Sequence, residues 1–195
     1  MEGSDGQFFT QFSAYDVEAL DAYLEDSDLI IHPGETEYEP LCVNYLPTGH
    51  TLELRSEDPQ VASVPNSVEI GIRGEAMGTT TVYYDIKVGG SVILSLPCQV
   101  TVPGIRLEEA EMSLRQLESV TLEPTVFPAK TGVTWSSSKE TVAKVTETGL
   151  VTAIGEGATE ITGTIEVEGR TYSQQCTVTV YALEDLADIA SYIEE

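Results

Sequence analysis

The sequence predicts an all-β chain, two β-sandwiches in tandem closed by a short C-terminal helix. Three observations lead there. The 195-residue chain contains itself twice: LELRSEDPQVASV at 52–64 lies over VTWSSSKETVAKV at 133–145 at a constant offset of 81. Apolar and polar residues alternate at period 2 in segments such as 171–180, the spacing of a strand with one buried face. Short strand-like runs are separated by glycine turns, with no helix between them to cross over a parallel sheet, so antiparallel sandwiches follow.

The repeat sets the domain plan. At the offset of 81, Leu54 falls on Trp135, Ser56 on Ser137, and Val61, Ala62 and Val64 on Val142, Ala143 and Val145. Upstream, at 83, Ala22, Leu24, Leu29 and Ile31 match Ile105, Leu107, Met112 and Leu114. Downstream, at 79, Gly78, Val82, Ile86 and Val88 meet Gly157, Ile161, Ile165 and Val167; at 78, Cys98, Val100 and Val102 meet Cys176, Val178 and Val180. Slips of one or two residues are what loops absorb. The plan is an N-terminal flank at 1–21, a first sandwich at 22–103, a second at 104–181 and an acidic tail at 182–195. The short link Val102-Pro-Gly-Ile105 limits swing between the units, because proline fixes φ.

Taken along the chain, Pro33-Gly34-Glu35-Thr36 makes an early turn, and strands follow around Leu52–Leu54, Val61–Val64 and Val82–Val88. Gly89-Gly90 turns the chain into Leu94, Leu96, Cys98, Val100 and Val102, which alternate. In the second half Val133 and Trp135 share a strand face, and Glu147-Thr148-Gly149 forms a hairpin between 142–146 and 150–154. Glu168-Gly169 forms another, leading into Tyr172, Gln174, Cys176, Val178 and Val180, which point inward while Thr171, Ser173, Gln175, Thr177 and Thr179 face water. Leu183, Leu186, Ala187, Ala190 and Ile193 then recur at helical spacing on an acidic background.

LEPTVFP at 122–128, VTWSS at 133–137, VAKV at 142–145, GLVTA at 149–153, GEGATEI at 155–161 and CTVTV at 176–180 occur in this order. With these motifs the second unit resembles the bacterial immunoglobulin-like domains of group 2 over nearly all of residues 105–181. The resemblance implies Greek-key immunoglobulin-like sandwiches. It also implies a module strung in series on secreted or cell-surface bacterial proteins, including adhesins and polysaccharide-active enzymes, or in phage structural proteins. The first unit is more divergent: Leu54 replaces the tryptophan and GLVTA is lost. Leu117 stands where Gly34 does, so the turn leading into the second unit is expected to differ.

Candidate sites reduce to structural positions. Trp135, Leu54, Val142, Val145, Val61, Val64, Cys98 and Cys176 are the expected core. Ser136, Ser137 and Ser138 could be a nucleophile cluster, but no G-x-S-x-G elbow accompanies them and unit 1 has Arg55-Ser56-Glu57 there, so they read as a strand corner. Cys42, Cys98 and Cys176 show no metal or redox spacing. Cys42 could pair with Cys98, although Leu41, aligned near Leu122, turns Cys42 the other way. His32 and His50 read as turn and loop residues, and Gly155-Glu156-Gly157 as a bulge or turn without a phosphate-loop lysine. Tyr83, Tyr45, Tyr38 and Tyr181 are the aromatics expected to show to solvent, where they could meet a sugar or a protein.

Charge restricts the partners. The chain holds 33 acidic and 9 basic residues, a net of -24. Nucleic acid is excluded as the expected partner for want of clustered Lys and Arg, and anionic membranes are disfavoured for the same reason. No apolar run is long enough to span a bilayer and no signal peptide is visible, so the expected partner is a protein or carbohydrate met at the cell surface. No cofactor is expected. Calcium is the one ion that the carboxylates would suit, with Glu25-Asp26-Ser27-Asp28 the densest run, which reads more simply as a solvated turn. The expectation is a non-enzymatic extracellular presenting or binding module, the alternative a spacer or accessory module of a polysaccharide-active enzyme or a phage decoration domain.

Overall fold

The computed structural model describes residues 20–38, 41–65 and 71–182; the N-terminal aromatics Phe8, Phe9, Phe12 and Tyr15 and the helix expected at 182–195 lie outside them, Ala182 excepted. Among the described residues the chain is all-β, without a helix. It divides into two compact units, Met1–Glu75 with Thr80–Val100, and Ala76–Thr79 with Thr101–Glu195.

Unit 1 carries β1 (Asp21–Leu24), β2 (Asp28–Ile30), β3 (Thr36–Glu37), β4 (Leu41–Tyr45), β5 (His50–Ser56), β6 (Ala62–Ser63), β7 (Ile72–Gly74) and all but the outermost two residues of β8 (Gly78–Val88) and β9 (Ser91–Val102). They form a four-stranded sheet β2-β9-β8-β5, a three-stranded sheet β3-β7-β6 and a ribbon β1-β4. Leu24, Leu29, Ile31, Leu52, Leu54, Ala62, Ile72, Val82, Tyr84, Cys98 and Val100 pack between the sheets.

Unit 2 carries β10 (Gly104–Arg106), β11 (Glu111–Arg115), β12 (Ser119–Thr121), β13 (Thr125–Phe127), β14 (Thr134–Ser137), β15 (Ala143–Val145), β16 (Leu150–Ala153), β17 (Gly157–Val167) and β18 (Arg170–Tyr181). Its sheets run β11-β18-β17-β14 and β12-β16-β15 with a ribbon β10-β13, so strand for strand the order is that of unit 1. β11 joins β18 in parallel and β17 joins β18 antiparallel. Val142, Ala143, Val151, Ala153, Ile161, Cys176, Val178 and Val180 fill the interior, with Trp135, Val145, Met112 and Leu114 packed against them.

Local chemistry explains the corners. The β17–β18 and β8–β9 hairpins each turn through two residues with positive φ, Glu168 (49°) with Gly169 (76°) and Gly89 (58°) with Gly90 (83°). That is the backbone twist two-residue hairpins require. β15 and β16 are joined by a turn closed by Gly149 N–H donating to Thr146 O at 3.0 Å, with Gly149 at φ 80°.

One expectation is corrected. In unit 1, Pro33 and Gly34 (φ 83°) form a turn in which Glu35 N–H donates to His32 O at 3.0 Å. In unit 2, Glu118 N–H donates to Arg115 O at 3.0 Å, and Leu117 holds φ 75°. The turns do not differ; leucine takes the left-handed conformation because the flanking pairing demands it. Leu117 N–H donates to Ala153 O at 2.9 Å and Ala153 N–H to Glu118 O at 2.9 Å, as Gly34 N–H donates to Gly74 O at 2.7 Å and Gly74 N–H to Glu35 O at 3.0 Å.

Candidate functional site

The serine cluster is a corner built around Thr159. β14 places Ser137 opposite Ile161 of β17, and the chain then turns past Ser138 and Lys139. Thr159, 3% exposed, lies beneath them. Its Oγ1 accepts from Lys139 N–H at 2.9 Å and lies 3.2 Å from Ser137 Oγ and 3.1 Å from Ser138 Oγ. Ser137 Oγ donates to Ala143 O at 2.7 Å, and Ser138 Oγ accepts from Glu160 N–H at 3.0 Å. Both hydroxyls therefore satisfy backbone groups that the strand end leaves open, and neither hydrogen-bonds to a histidine or a carboxylate among the described residues. Unit 1 builds the same corner more simply, with Asp58 N–H donating to Thr80 Oγ1 at 3.0 Å. Ser56, aligned with Ser137, buries its hydroxyl without a hydrogen-bond partner among the described residues.

Among the expected core residues, Val142, Cys98 and Cys176 are buried. Leu54, Val64, Trp135 and Val145 are partly buried against the two interiors, and Val61 is half-buried. Leu54 pairs across the sheet with Tyr84, which is fully buried, whereas Trp135 pairs with Gly163. Unit 1 thus sets a medium residue beside a large one, and unit 2 sets the largest side chain beside none.

The Cys42 and Cys176 thiols are free. Burial, with Glu109 adding repulsion, pushes the Cys176 thiol above its ordinary 9.0. A thiol that is the weaker acid in the folded state contributes stability below its unfolded pKa, and loses it as pH rises through the folded one. Unit 2 should therefore weaken as pH climbs past about 9. Cys176→Ala should flatten that alkaline slope in urea titrations followed by tryptophan fluorescence, and an unchanged slope would refute the assignment. In native protein a thiol reagent should label half-buried Cys42 first and reach Cys98 and Cys176 only as the chain opens.

The aromatics expected at the surface separate into two kinds. Tyr83 is tied down: Arg55 Cζ lies 4.3 Å from its ring centroid, and its hydroxyl donates to Glu57 Oε1 at 3.0 Å. That bond pushes the Tyr83 phenol above its ordinary value, with Arg55 opposing. Beside it Asp85, nearly buried, accepts from Ser95 Oγ at 2.5 Å and faces Arg55 Nε at 3.4 Å, while Lys87 pairs with Glu53. Tyr45 (55%), Tyr38 (58%) and Tyr181 (56%) are open to solvent.

Sequence reasoning missed Tyr23, 51% exposed, although its place between inward Ala22 and Leu24 signals an outward side chain. On the β1-β4 ribbon Tyr23 pairs with Cys42, Ala22 with Val43 and Asp21 with Tyr45. Val43 is itself 40% exposed, but it pairs with Ala22 and so takes the ribbon face opposite to that of Tyr23 and Cys42. A hydrogen bond with the Cys42 thiol, with Asp21 and Glu25 nearby, raises the Tyr23 phenol above its ordinary value. Asn44 Nδ2 donates to Asp21 Oδ2 at 2.6 Å and holds the ribbon's end.

No group of three or more His, Cys, Asp or Glu able to hold a metal assembles among the described residues. The run at 25–28 is an exposed turn in which Asp28 N–H donates to Asp26 Oδ1 at 2.9 Å and Gln99 N–H to Ser27 O at 2.6 Å.

Comparison with known proteins adds three likenesses. An alpha-L-arabinofuranosidase of Bifidobacterium longum subsp. longum is 34% identical over 118 aligned residues, covering 51% of this chain and 11% of that protein. The chain thus spans about a tenth of that relative's length. Among solved structures, S-layer protein SbsC domains 4 and 5 align at 17% identity and a TM-score of 0.35, covering 83% of this chain and 98% of that one. The insect immune protein hemolin aligns at 17% identity and a TM-score of 0.39, covering 82% and 46%. Residues 101–178 match the family model of the bacterial Ig-like domain, group 2, and this segment of the chain, the sandwich built around Trp135, is such a domain.

Proposed function

We propose that the chain is a non-enzymatic binding module of a secreted or cell-surface bacterial protein, and that unit 1 is a divergent copy of the same domain that carries the ligand surface. The observation behind this reading is the pair of exposed tyrosines, Tyr23 and Tyr45, on the β1-β4 ribbon. In the matching ribbon of unit 2, Gly104 and Ile105 are buried and Arg106 takes the place of Tyr23. Tyrosine offers a flat apolar ring and a polar tip, the combination that stacks on a sugar or anchors a protein contact. The net charge of -24 favours neutral or cationic ligands over nucleic acid and anionic lipid.

The test is a glycan and protein array probed with the intact chain, followed by calorimetry on any hit. Tyr23→Ala and Tyr45→Ala should each weaken binding by about fivefold, from about 1 kcal/mol per aromatic contact. Tyr181→Ala, on unit 2, should leave affinity unchanged. Retention of ligand by the double variant at full strength would move the surface elsewhere.

A second reading, a spacer or accessory module of a polysaccharide-active enzyme, is favoured by the likeness to the arabinofuranosidase. It expects neither unit to retain any ligand on the arrays.

A further inference from the structure

We infer that β5, the edge strand of the four-stranded sheet in unit 1, pairs antiparallel with β5 of a second copy of the chain, in the register that sets Glu53 opposite Arg55. β5 has seven residues and is the longest edge strand among the described residues. Its register with β8 is unbroken from His50 to Ser56, so no bulge turns the edge away, and it holds neither proline nor lysine. It lacks the devices that ordinarily keep an open edge from pairing.

One bond fixes the direction of its backbone groups. Glu57 N–H donates to Thr81 O at 3.0 Å, in line with the pairing of Arg55 with Tyr83 and of Glu53 with Asp85. Bonded and non-bonded pairs alternate along an antiparallel ladder, so the N–H and C=O groups of Glu53 and Arg55 face β8, whereas those of Leu52, Leu54 and Ser56 face the outer edge. No described strand lies there.

Charge then chooses the register. A twofold joint centred on residue 53 sets Glu53 against the Glu53 of the second copy, and one centred on residue 55 sets Arg55 against Arg55 and Glu53 against Glu57. Like charges directly opposite disfavour both. Centred on Leu54, the joint sets Glu53 opposite Arg55 twice, in the non-bonded pairs where side chains come closest. Both side chains are open to this, Glu53 being 58% and Arg55 53% exposed. Glu53 already pairs with Lys87, and Arg55 with Asp85, so the joint links two charged rows into one ladder on the outer face. Unit 2 has no equivalent: its matching edge, β14, is four residues long, with Thr134 and Ser136 in the places of Glu53 and Arg55.

Sedimentation of the intact chain tests this at about 0.15 M salt, where screening beyond about 8 Å limits the repulsion between two chains of net charge -24. A dimer with Kd on the order of 100 µM is expected, because a joint over residues 52–56 is a small interface. Glu53→Lys and Arg55→Glu should each weaken it at least about tenfold, since two attractive pairs become repulsive. Mixed together, the two variants should associate as wild type does, each meeting the opposite charge on the other. If Arg55→Glu loses the fold of unit 1 by circular dichroism, Cys42→Ser chains carrying Glu53→Cys or Arg55→Cys take over the test: their mixture should form a disulfide at least about tenfold faster than either alone. A wild type that stays monomeric to about 1 mM would overturn the inference, as would single variants that associate like wild type or a mixture no better than its parts. So would Glu53→Cys chains that cross-link to themselves as fast as to Arg55→Cys chains, which would put the joint in another register.

Discussion

Gly163→Ala should destabilise unit 2 by about 1–3 kcal/mol, the cost of overpacking a core. The sign is informative, because in a strand interior alanine ordinarily gains about 0.5–1 kcal/mol over glycine. Here an added β-carbon would stand 2.9 Å from Trp135 Cζ3, 3.1 Å from Cη2 and 3.2 Å from Ile105 Cδ1. The indole already fills the space opposite Gly163. In a Trp135→Leu background, which copies Leu54 of unit 1, the ring is gone and the penalty of Gly163→Ala should vanish or reverse. Trp135→Leu alone should cost about 2–4 kcal/mol through the cavity it leaves. A double-mutant cycle in urea, followed by circular dichroism because the fluorophore is removed in two of its four members, measures the coupling. Additive costs would mean that ring and glycine do not share a space.

Thr159→Val is the second large effect, about 1–3 kcal/mol lost for nearly unchanged volume. The substitution leaves the Lys139 N–H without its acceptor and removes the oxygen beside the Ser137 and Ser138 hydroxyls. Thr80→Val in unit 1 strips a single bond, from Asp58 N–H, and should cost about 1 kcal/mol. Because the only tryptophan is Trp135, fluorescence reads unit 2 alone. Thr159→Val should lower the denaturant midpoint seen by fluorescence, and Thr80→Val should shift only the circular dichroism signal assignable to unit 1. Equal effects at the two threonines would show that the serines add nothing to the corner.

Much of this was legible in the sequence because strand structure is periodic. The alternation at 171–180 identified the inward face of β18 residue by residue, since a half-buried strand admits only period 2. Glycines at 89, 90 and 169 announced hairpins by the φ they permit. The offset of 81 paired Leu54 with Trp135, which occupy the same strand of like-ordered sheets. Leu117 misled, because residue type is a weak guide to φ where cross-strand hydrogen bonds on both sides fix the turn. The role of Gly163 was illegible for a different reason: which glycine faces the indole is a matter of register. Thr159 lay hidden among many strand threonines, its burial visible only in three dimensions.

The parallel joint between β11 and β18 bears on how unit 2 would withstand tension. Glu111 lies opposite Thr177 and Arg115 opposite Tyr181, so the strand nearer the beginning of the unit and the strand that ends it run side by side in the same direction. A pull that reaches β11 from its start and β18 from its finish slides the two past each other, loading every rung of the ladder at once in shear. Rupture then demands simultaneous failure and not one-by-one unzipping, so resistance to force is governed by the barrier to opening and not by equilibrium stability.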